Sequence, residues 1–444
     1  MYFFYSFFLG LALLISAPFL LAQRKHRAGF AERLGRVPER IKGNPGNPNI
    51  WVHAVSVGEV LAIAPLVEEL RRRLPASRIF VSTTTATGQA LARQRFGEKN
   101  VFYFPFDLPL CILPYLRDIN PALVVTAETE FWPNLLRFAK RVGARLAVVN
   151  ARISDRSLAG YRRWRPLLRR PLARVDLFLA QTPEDAKRLA MIGATPEKIQ
   201  TTGNLKFDVT VPAELPIVHD LRQAFARGRA KSVLVCGSTV ASPAGEASEE
   251  QLLLAAFSRV LQADSSAVLL LAPRKPERFE QIAALIESRG LPLWRRSRLA
   301  GNEAIAGGVV LLDTIGELAS LYRLGTLAFI GGSLVPAGGH NILEPAQAGI
   351  PVLVGPHTEN FRDIVQIFRE AEGMVVVPPQ AEQIAETFLE LLGDKEKHAG
   401  LAARARQAFE SQAGATEKTA YALMRLLDVP SAAEEPEQAE RLAP

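Results

Sequence analysis

Cysteine is nearly absent from the 444 residues: only Cys111 and Cys236 occur, far apart and both among apolar neighbours. That excludes a disulfide framework and a thiolate metal centre, and it fits a reducing compartment. No metal-ligand spacing occurs. The Gly-x-x-x-x-Gly-Lys phosphate loop is missing, and no Gly-x-Gly-x-x-Gly follows the first strand expected in either half. Those absences argue against a P-loop nucleotidase and an NAD-dependent enzyme. Lys and Arg outnumber Asp and Glu by 53 to 45, a net +8, yet they are not interleaved with aromatics. Single-stranded nucleic acid requires that interleaving, so nucleic acid is not the expected partner. The basic residues gather after the apolar N-terminus and between Arg152 and Arg174, a placement suited to an anionic membrane or a phosphorylated lipid.

Charge is wholly missing from Met1 to Ala22, after which Gln23-Arg24-Lys25-His26-Arg27 follows at once. A hydrocarbon core about 30 Å thick needs roughly 20 helical residues, which this run supplies. Positive charge on its C-terminal side differs from a cleaved signal peptide and leaves the remaining chain in the cytoplasm. The reading is a membrane anchor over 1–22. It is either a full span or, given Ser6, Gly10 and Pro18, a helix lying in one leaflet.

From Asn49 onward, apolar runs of strand length alternate with helical stretches. Ile50–Val55, Arg78–Ser82, Val101–Phe104, Ala122–Thr126, Arg145–Val149 and Leu177–Ala180 read as strands, with Glu59–Leu74 an amphipathic helix. A proline-bearing stretch, Val209–Pro216, interrupts the alternation, which restarts at Ser232–Cys236 and continues through Ala267–Ala272, Val309–Leu312, Leu327–Ile330 and Pro351–Val354. The fold class is therefore α/β: two doubly wound, Rossmann-like domains, 23–211 and 212–429, facing a cleft. The Ala, Glu and Pro of 430–444 predict a disordered tail.

Candidate chemistry lies where strands hand over to helices, the edge at which open α/β sheets bind ligands. Ser56-Val57-Gly58-Glu59 is one such point: Gly58 permits a tight turn, and Glu59 either serves as a functional carboxylate or complements the helix dipole. Glu128 and Glu130, beside Phe131-Trp132-Pro133, make a second, and Arg152 in Asn150-Ala151-Arg152 a third. In the second half, Gly237-Ser238-Thr239 follows a strand, Arg274-Lys275-Pro276 puts two cations at a strand end, and Gly316-Glu317-Leu318 opens a helix. The densest segment runs from Gly331 to Pro345 and holds Gly339, His340, Asn341 and Glu344. Its glycines let backbone N–H groups approach a phosphate, and Glu344 suits ribose hydroxyls.

These segments, with Gly203–Asp208 and Gly355–Phe361, resemble the 3-deoxy-D-manno-octulosonic acid (Kdo) transferases of lipopolysaccharide synthesis in order and spacing over nearly the whole chain. The resemblance implies a GT-B fold and inverting transfer of Kdo from CMP-Kdo to lipid IVA, the tetraacylated, bisphosphorylated precursor of lipid A. CMP-Kdo is then a co-substrate, and no cofactor, metal or obligate protein partner is implied. It implies Glu59 as general base and a nucleotide grip from Arg274, Lys275, Pro276, Gly316, Glu317, Leu318, Gly339, Asn341 and Glu344. Ser56, Gly58, Glu128, Glu130, Arg152 and Lys206 are left for the acceptor or the sugar carboxylate. The implied location is the cytoplasmic face of a bacterial inner membrane. Two departures stand out: Lys275 replaces a frequent His, and Val240–Glu246 replaces the usual His-Glu-Gly-Glu-Glu after Thr239. Rival readings are a GT-B transferase using a UDP-sugar and a lipid acceptor, a nucleotide-sugar epimerase, and a non-catalytic membrane-docked protein.

Overall fold

The computed structural model describes residues 1–22, 29–44, 46–208, 215–243 and 245–428. The basic cluster at 23–27, the break at 209–214 with the boundary placed in it, and the tail at 430–444 lie outside the described residues. Two compact units result. One comprises 1–209 with 413–444, the other 210–412.

The first unit is built on a parallel sheet: β1 (Asn49–His53), β2 (Arg78–Thr83), β3 (Val101–Tyr103), β4 (Pro121–Ala127), β5 (Arg145–Ala151), β6 (Leu177–Ala180) and β7 (Ile199–Thr201), ordered β3-β2-β1-β4-β5-β6-β7. The second repeats the plan with β8 (Val233–Thr239), β9 (Val268–Pro273), β10 (Leu293–Arg295), β11 (Gly308–Leu311), β12 (Leu327–Ile330), β13 (Val352–Val354) and β14 (Val375–Val376), ordered β10-β11-β9-β8-β12-β13-β14. Parallel sheets covered on both faces need strands apolar at every position. Ile50-Trp51-Val52 and Leu269-Leu270-Leu271 satisfy this, each residue fully buried. Each order reverses once, between β1 and β4 and between β8 and β12, and ligands bind beyond the strand ends at such reversals.

The helices that position the site residues are α1 (Tyr2–Ala22), α2 (Val57–Arg73), α3 (Pro133–Arg141), α4 (Asp155–Arg163), α5 (Arg165–Leu172), α6 (Glu249–Ala263), α7 (Leu343–Ala348) and α8 (Ala415–Leu426). Sequence order assigns α8 to the second domain, but it packs against α2 in the first unit. The reason is local. Asp208 accepts the Gly414 N–H (2.7 Å) and the Thr416 N–H at the start of α8, and the Thr419 and Thr202 hydroxyls meet at 3.2 Å.

The span expected over 1–22 is not borne out: among the described residues no helix is long and apolar enough to cross a membrane. α1 is instead fastened to its own unit by polar groups. Asn134 Nδ2 donates to Ser6 Oγ (2.9 Å), Arg174 Nε to the Tyr2 hydroxyl (3.1 Å), and Arg137 stacks 4.8 Å over the Tyr2 ring. The Tyr5 hydroxyl lies against Asp107, whose carboxylate also accepts the Asn134 and Leu135 N–H groups at the start of α3 (2.9 and 2.7 Å). Pro133 opens α3, where its missing N–H costs nothing.

Candidate active site

At the β1/β4 reversal the first unit brings together five of the side chains singled out in the sequence, Ser56, Glu59, Glu128, Glu130 and Lys206. Ser56 caps α2, its hydroxyl donating to Glu59 Oε1 (3.0 Å), while the Val55 N–H donates to Glu59 Oε2 (2.8 Å). Glu59 thus does complement the helix start: its own N–H donates to Ser56 Oγ (3.4 Å), and its carboxylate takes the N–H of Val55, the residue before the cap. It also sits in electrostatic contact with a cluster that capping does not need. Glu128 ends β4 in a left-handed conformation (φ 54°), and Lys206 Nζ meets its Oε1 at 3.1 Å. Lys206 is placed by Asn150, whose Oδ1 accepts the Leu205 N–H (3.0 Å), and by Asn204 Oδ1, which accepts its own N–H (3.0 Å). Asn150 is itself left-handed (φ 53°) and buried. Arg152 follows on the same loop, half-buried.

Burial dominates the electrostatics of this cluster. It pushes the Glu59 carboxyl above the usual range, and the negative charge of Glu128 adds to it, while the Val55 N–H, the Ser56 hydroxyl and the Lys206 cation pull it back. Glu130 is raised to about 7, by burial first and then by the charges of Glu59 and Glu128. Tyr161 of α4 faces the same group: burial and the Glu130 charge raise its hydroxyl. Nothing in its sequence surroundings marked it. Three mutually repelling carboxylates, two of them felt by Lys206 and the third poised near neutrality, are an arrangement for taking a proton from a hydroxyl.

Gly58 departs from its expected role. Its φ is not positive, and a Cβ there would meet only Ser56 Oγ, at 3.9 Å. No turn requires the glycine; the space above it is open.

The second unit's candidate residues surround the β8/β12 reversal. After β12 the loop passes Gly332 (φ 70°), Gly338 (φ 86°) and Gly339 (φ 77°), conformations that disfavour any side chain. A Cβ on Gly339 would stand 3.0 Å from the His357 carbonyl. His340 is held neutral, lowered to about 4 by burial and by the Arg274 cation, with Nε2 buried and unpartnered. Asn341 Nδ2 donates to Glu344 Oε1 (3.4 Å), and Glu344 at the start of α7 is raised by burial and opposed by Asn341 and Arg274. Arg274, His340, Asn341 and Glu344 therefore form one group. Arg274 is exposed and hung on β8 through its N–H to the Thr239 carbonyl (2.9 Å); Lys275 and Pro276 follow it, both exposed. Gly316 (φ 92°) and Leu318 flank a residue whose carboxylate is committed elsewhere. Glu317 takes a bidentate pair from Arg296 (3.0 and 2.7 Å) and the Thr314 hydroxyl, leaving backbone N–H groups for any ligand.

Two further residues hold this edge together. Glu249, fully buried, accepts four backbone N–H groups: Ser333 and Leu334 on Oε1 (both 2.9 Å), Gly332 and Val240 on Oε2 (2.7 and 2.9 Å). Glu250, equally buried, takes the Thr239 hydroxyl (2.8 Å) and a bidentate pair from Arg278 (2.6 and 2.9 Å). The departure after Thr239 is thus an intervening loop: a Glu-Glu pair returns at 249–250, behind the Ser248 cap of α6. The signal was two adjacent acids at a helix start after a Gly-Ser-Thr strand end. Acids at helix starts are common, and it passed unread.

Residues 28–209 match the family model described as 3-deoxy-D-manno-octulosonic-acid transferase (kdotransferase), and 294–408 match glycosyl transferases group 1. The chain is 33% identical over 439 residues to a 3-deoxy-D-manno-octulosonic acid transferase of Haemophilus influenzae, covering 96% of this chain and 98% of that one. It is 36% identical over 419 residues to the transferase of that name from Bordetella pertussis, covering 90% and 94%. Among solved structures it is similar to UDP-GlcNAc 2-epimerase from Neisseria meningitidis bound to UDP-GlcNAc, at 15% identity and a TM-score of 0.57 over 85% of this chain and all of that one. At that identity the likeness speaks for the two-unit parallel α/β fold alone. With relatives at this identity over almost its whole length, the chain belongs to the 3-deoxy-D-manno-octulosonic acid transferase family.

Proposed function

We propose that the protein is an inverting transferase that moves Kdo from CMP-Kdo to a hydroxyl of lipid IVA, at the cytoplasmic face of a bacterial inner membrane. The observation that carries the reading is Glu59: a carboxylate fixed by two hydrogen bonds, raised by burial and by Glu128, at the reversal point of a sheet whose chain belongs to the Kdo transferases. In the reaction the acceptor O–H attacks the anomeric carbon of Kdo, and its proton passes to Glu59. The bond from that carbon to the CMP phosphate oxygen breaks, and CMP leaves with the electron pair. Charge developing on the leaving phosphate is met by Arg274, Lys275 and the N–H groups around Gly339. Preorganised donors of that kind are worth about 3–4 kcal/mol each by analogy with oxyanion holes. Glu344 and Asn341 suit the ribose hydroxyls. Membrane contact is served by the outward side chains of α1, where Phe3, Phe7, Leu14 and Ile15 are each more than half exposed.

The test separates chemistry from folding. Ser56 caps α2 through the backbone N–H of residue 59, and Gln keeps a carbonyl for the Val55 N–H, so Glu59→Gln keeps α2 intact. With CMP-Kdo and lipid IVA in detergent, read by mass spectrometry, wild type should gain one or more Kdo masses. Glu59→Gln should lose roughly 10²–10⁴-fold in rate with an unchanged Tm. Turnover with a UDP-sugar and none with CMP-Kdo would overturn the donor. Full activity in Glu59→Gln would overturn the base.

A further inference from the structure

The fold presents α1 with three distinct faces. Tyr2, Tyr5 and Ser6 bind it to its own unit, and Phe3, Phe7 and Leu14 point outward. The third face carries Phe4 and Phe8, which are themselves 63% and 62% exposed, and borders an open groove against its own unit. It forms one wall of a cavity of about 1230 Å³. The opposite wall comes from α4 and α5 through Tyr161, Trp164, Leu167 and Leu168, and the floor is the 129–133 loop. That volume exceeds the roughly 300–1,000 Å³ typical of small-molecule sites. Its lining is apolar apart from a few groups, of which the charged ones are Glu130 and Arg170.

Those two charges orient the cavity. Glu130 feels the charges of Glu59 and Glu128, so that part of the cavity belongs to the proposed catalytic carboxylates. Arg170 belongs to a basic run on α4 and α5 that also includes Arg162, Arg163, Arg165 and Arg169. All five are exposed, and none has a carboxylate partner among the described residues. An open apolar groove with Glu130 in its lining, beside guanidinium groups that have no carboxylate partner among the described residues, fits an anionic amphiphile. Its chain would lie in the cavity, its phosphate among the arginines, and its sugar hydroxyl near Glu130 and Glu59. A bilayer alone would call for the outward face and the arginines, not for an apolar groove with Glu130 in its lining.

Resting on the acceptor reading above, we propose that this cavity takes one acyl chain of the acceptor, so that α1 is a wall of the acceptor site as well as an attachment to the membrane. The chain's methylenes are removed from water there, and acceptors are discriminated by acylation at the site rather than by their presence in a bilayer.

The experiment compares CMP-Kdo-dependent transfer to two acceptors in detergent micelles: tetraacylated lipid IVA and its fully deacylated bisphosphorylated disaccharide. Leu168→Trp and Leu9→Trp fill the cavity, while Phe3→Ser and Phe7→Ser alter only the outward face. The cavity variants should raise KM for the acylated acceptor by at least about 50-fold, the loss of burial of three or more methylenes. Transfer to the deacylated acceptor should stay within twofold of wild type. The outward variants should weaken sedimentation with anionic phospholipid vesicles and leave both micellar rates unchanged. An equal loss on both acceptors in the cavity variants, no loss on either, or the same discrimination lost in Phe3→Ser would each overturn the proposal. Should wild type transfer to neither acceptor, the function reading falls, but the cavity is still read by fluorescence of cis-parinaric acid. Saturable binding in wild type that Leu168→Trp abolishes supports an acyl site; equal binding in both overturns it.

Discussion

Glu249→Ala removes the acceptor for four backbone N–H groups at once, three of them buried and that of Val240 half-buried. Leaving a buried donor unsatisfied costs about 1–3 kcal/mol, so the three buried ones cost at least ~3 kcal/mol. The half-buried Val240 N–H and the cavity left by the side chain bring the loss to about 4 kcal/mol. That is a large share of the ~5–15 kcal/mol that holds a typical domain folded. For a unit of this size each kcal/mol moves the midpoint by roughly 2–4 °C, so the second unit should melt about 8–16 °C lower. Glu249→Gln keeps one oxygen, sufficient for Ser333 and Leu334, and turns an NH₂ toward the N–H groups of Gly332 and Val240. It should fall about midway. The readout is calorimetry together with amide exchange at 332–334, where protection should collapse in the alanine variant. Because these amides begin the loop that continues to Gly339 and Glu344, CMP affinity should fall as well. A Tm within about 2 °C of wild type, with protection intact, would refute the claim that this one carboxylate holds the loop.

Three other outcomes follow from the first unit. Glu130 titrates near 7 in the folded protein against an ordinary 4.5, so its stabilising contribution is present below about 4.5 and is lost as pH rises through 7. Glu130→Gln should therefore raise Tm at pH 8 and leave it unchanged at pH 4.5; the reverse pattern in thermal unfolding would overturn the assignment. Lys206 pulls the Glu59 carboxyl down, so Lys206→Met should move the acidic limb of kcat/KM to higher pH, with Lys206→Arg restoring it. A limb that stays put in a pH–rate profile contradicts this. Gly58→Ala meets no strain and no clash, so Tm should hold within about 2 °C while KM for the acceptor rises. Unfolding of that variant would show the glycine to be structural after all.

Both parallel sheets were legible in the sequence because their central strands are buried on two faces and must be apolar at every position. β7, β10 and β14 were not. Ile199-Gln200-Thr201, Leu293-Trp294-Arg295 and Val375-Val376 are two or three residues long, lie at sheet edges and are half-buried or exposed, so they carry neither an apolar run nor a clean alternation. The reassignment of α8 has a different cause: its place is decided by Asp208, some 200 residues earlier, and no local pattern records a partner that distant. The same limit explains the site. Glu59, Glu128 and Glu130 were found because each follows a recognisable strand. Tyr161 and Glu249 were not, because what matters in each is which distant group the side chain meets. Glu317 and Gly58 show the converse. Glu317 stands where a ligand contact is expected, but Arg296 occupies its carboxylate. Gly58 stands where a tight turn is expected, but it has no positive φ and only open space above it. A strand-end motif therefore identifies the edge of the sheet that works. Which of its side chains are free to touch substrate, and which hold the loops for the others, is decided by burial and by partners brought from elsewhere in the chain.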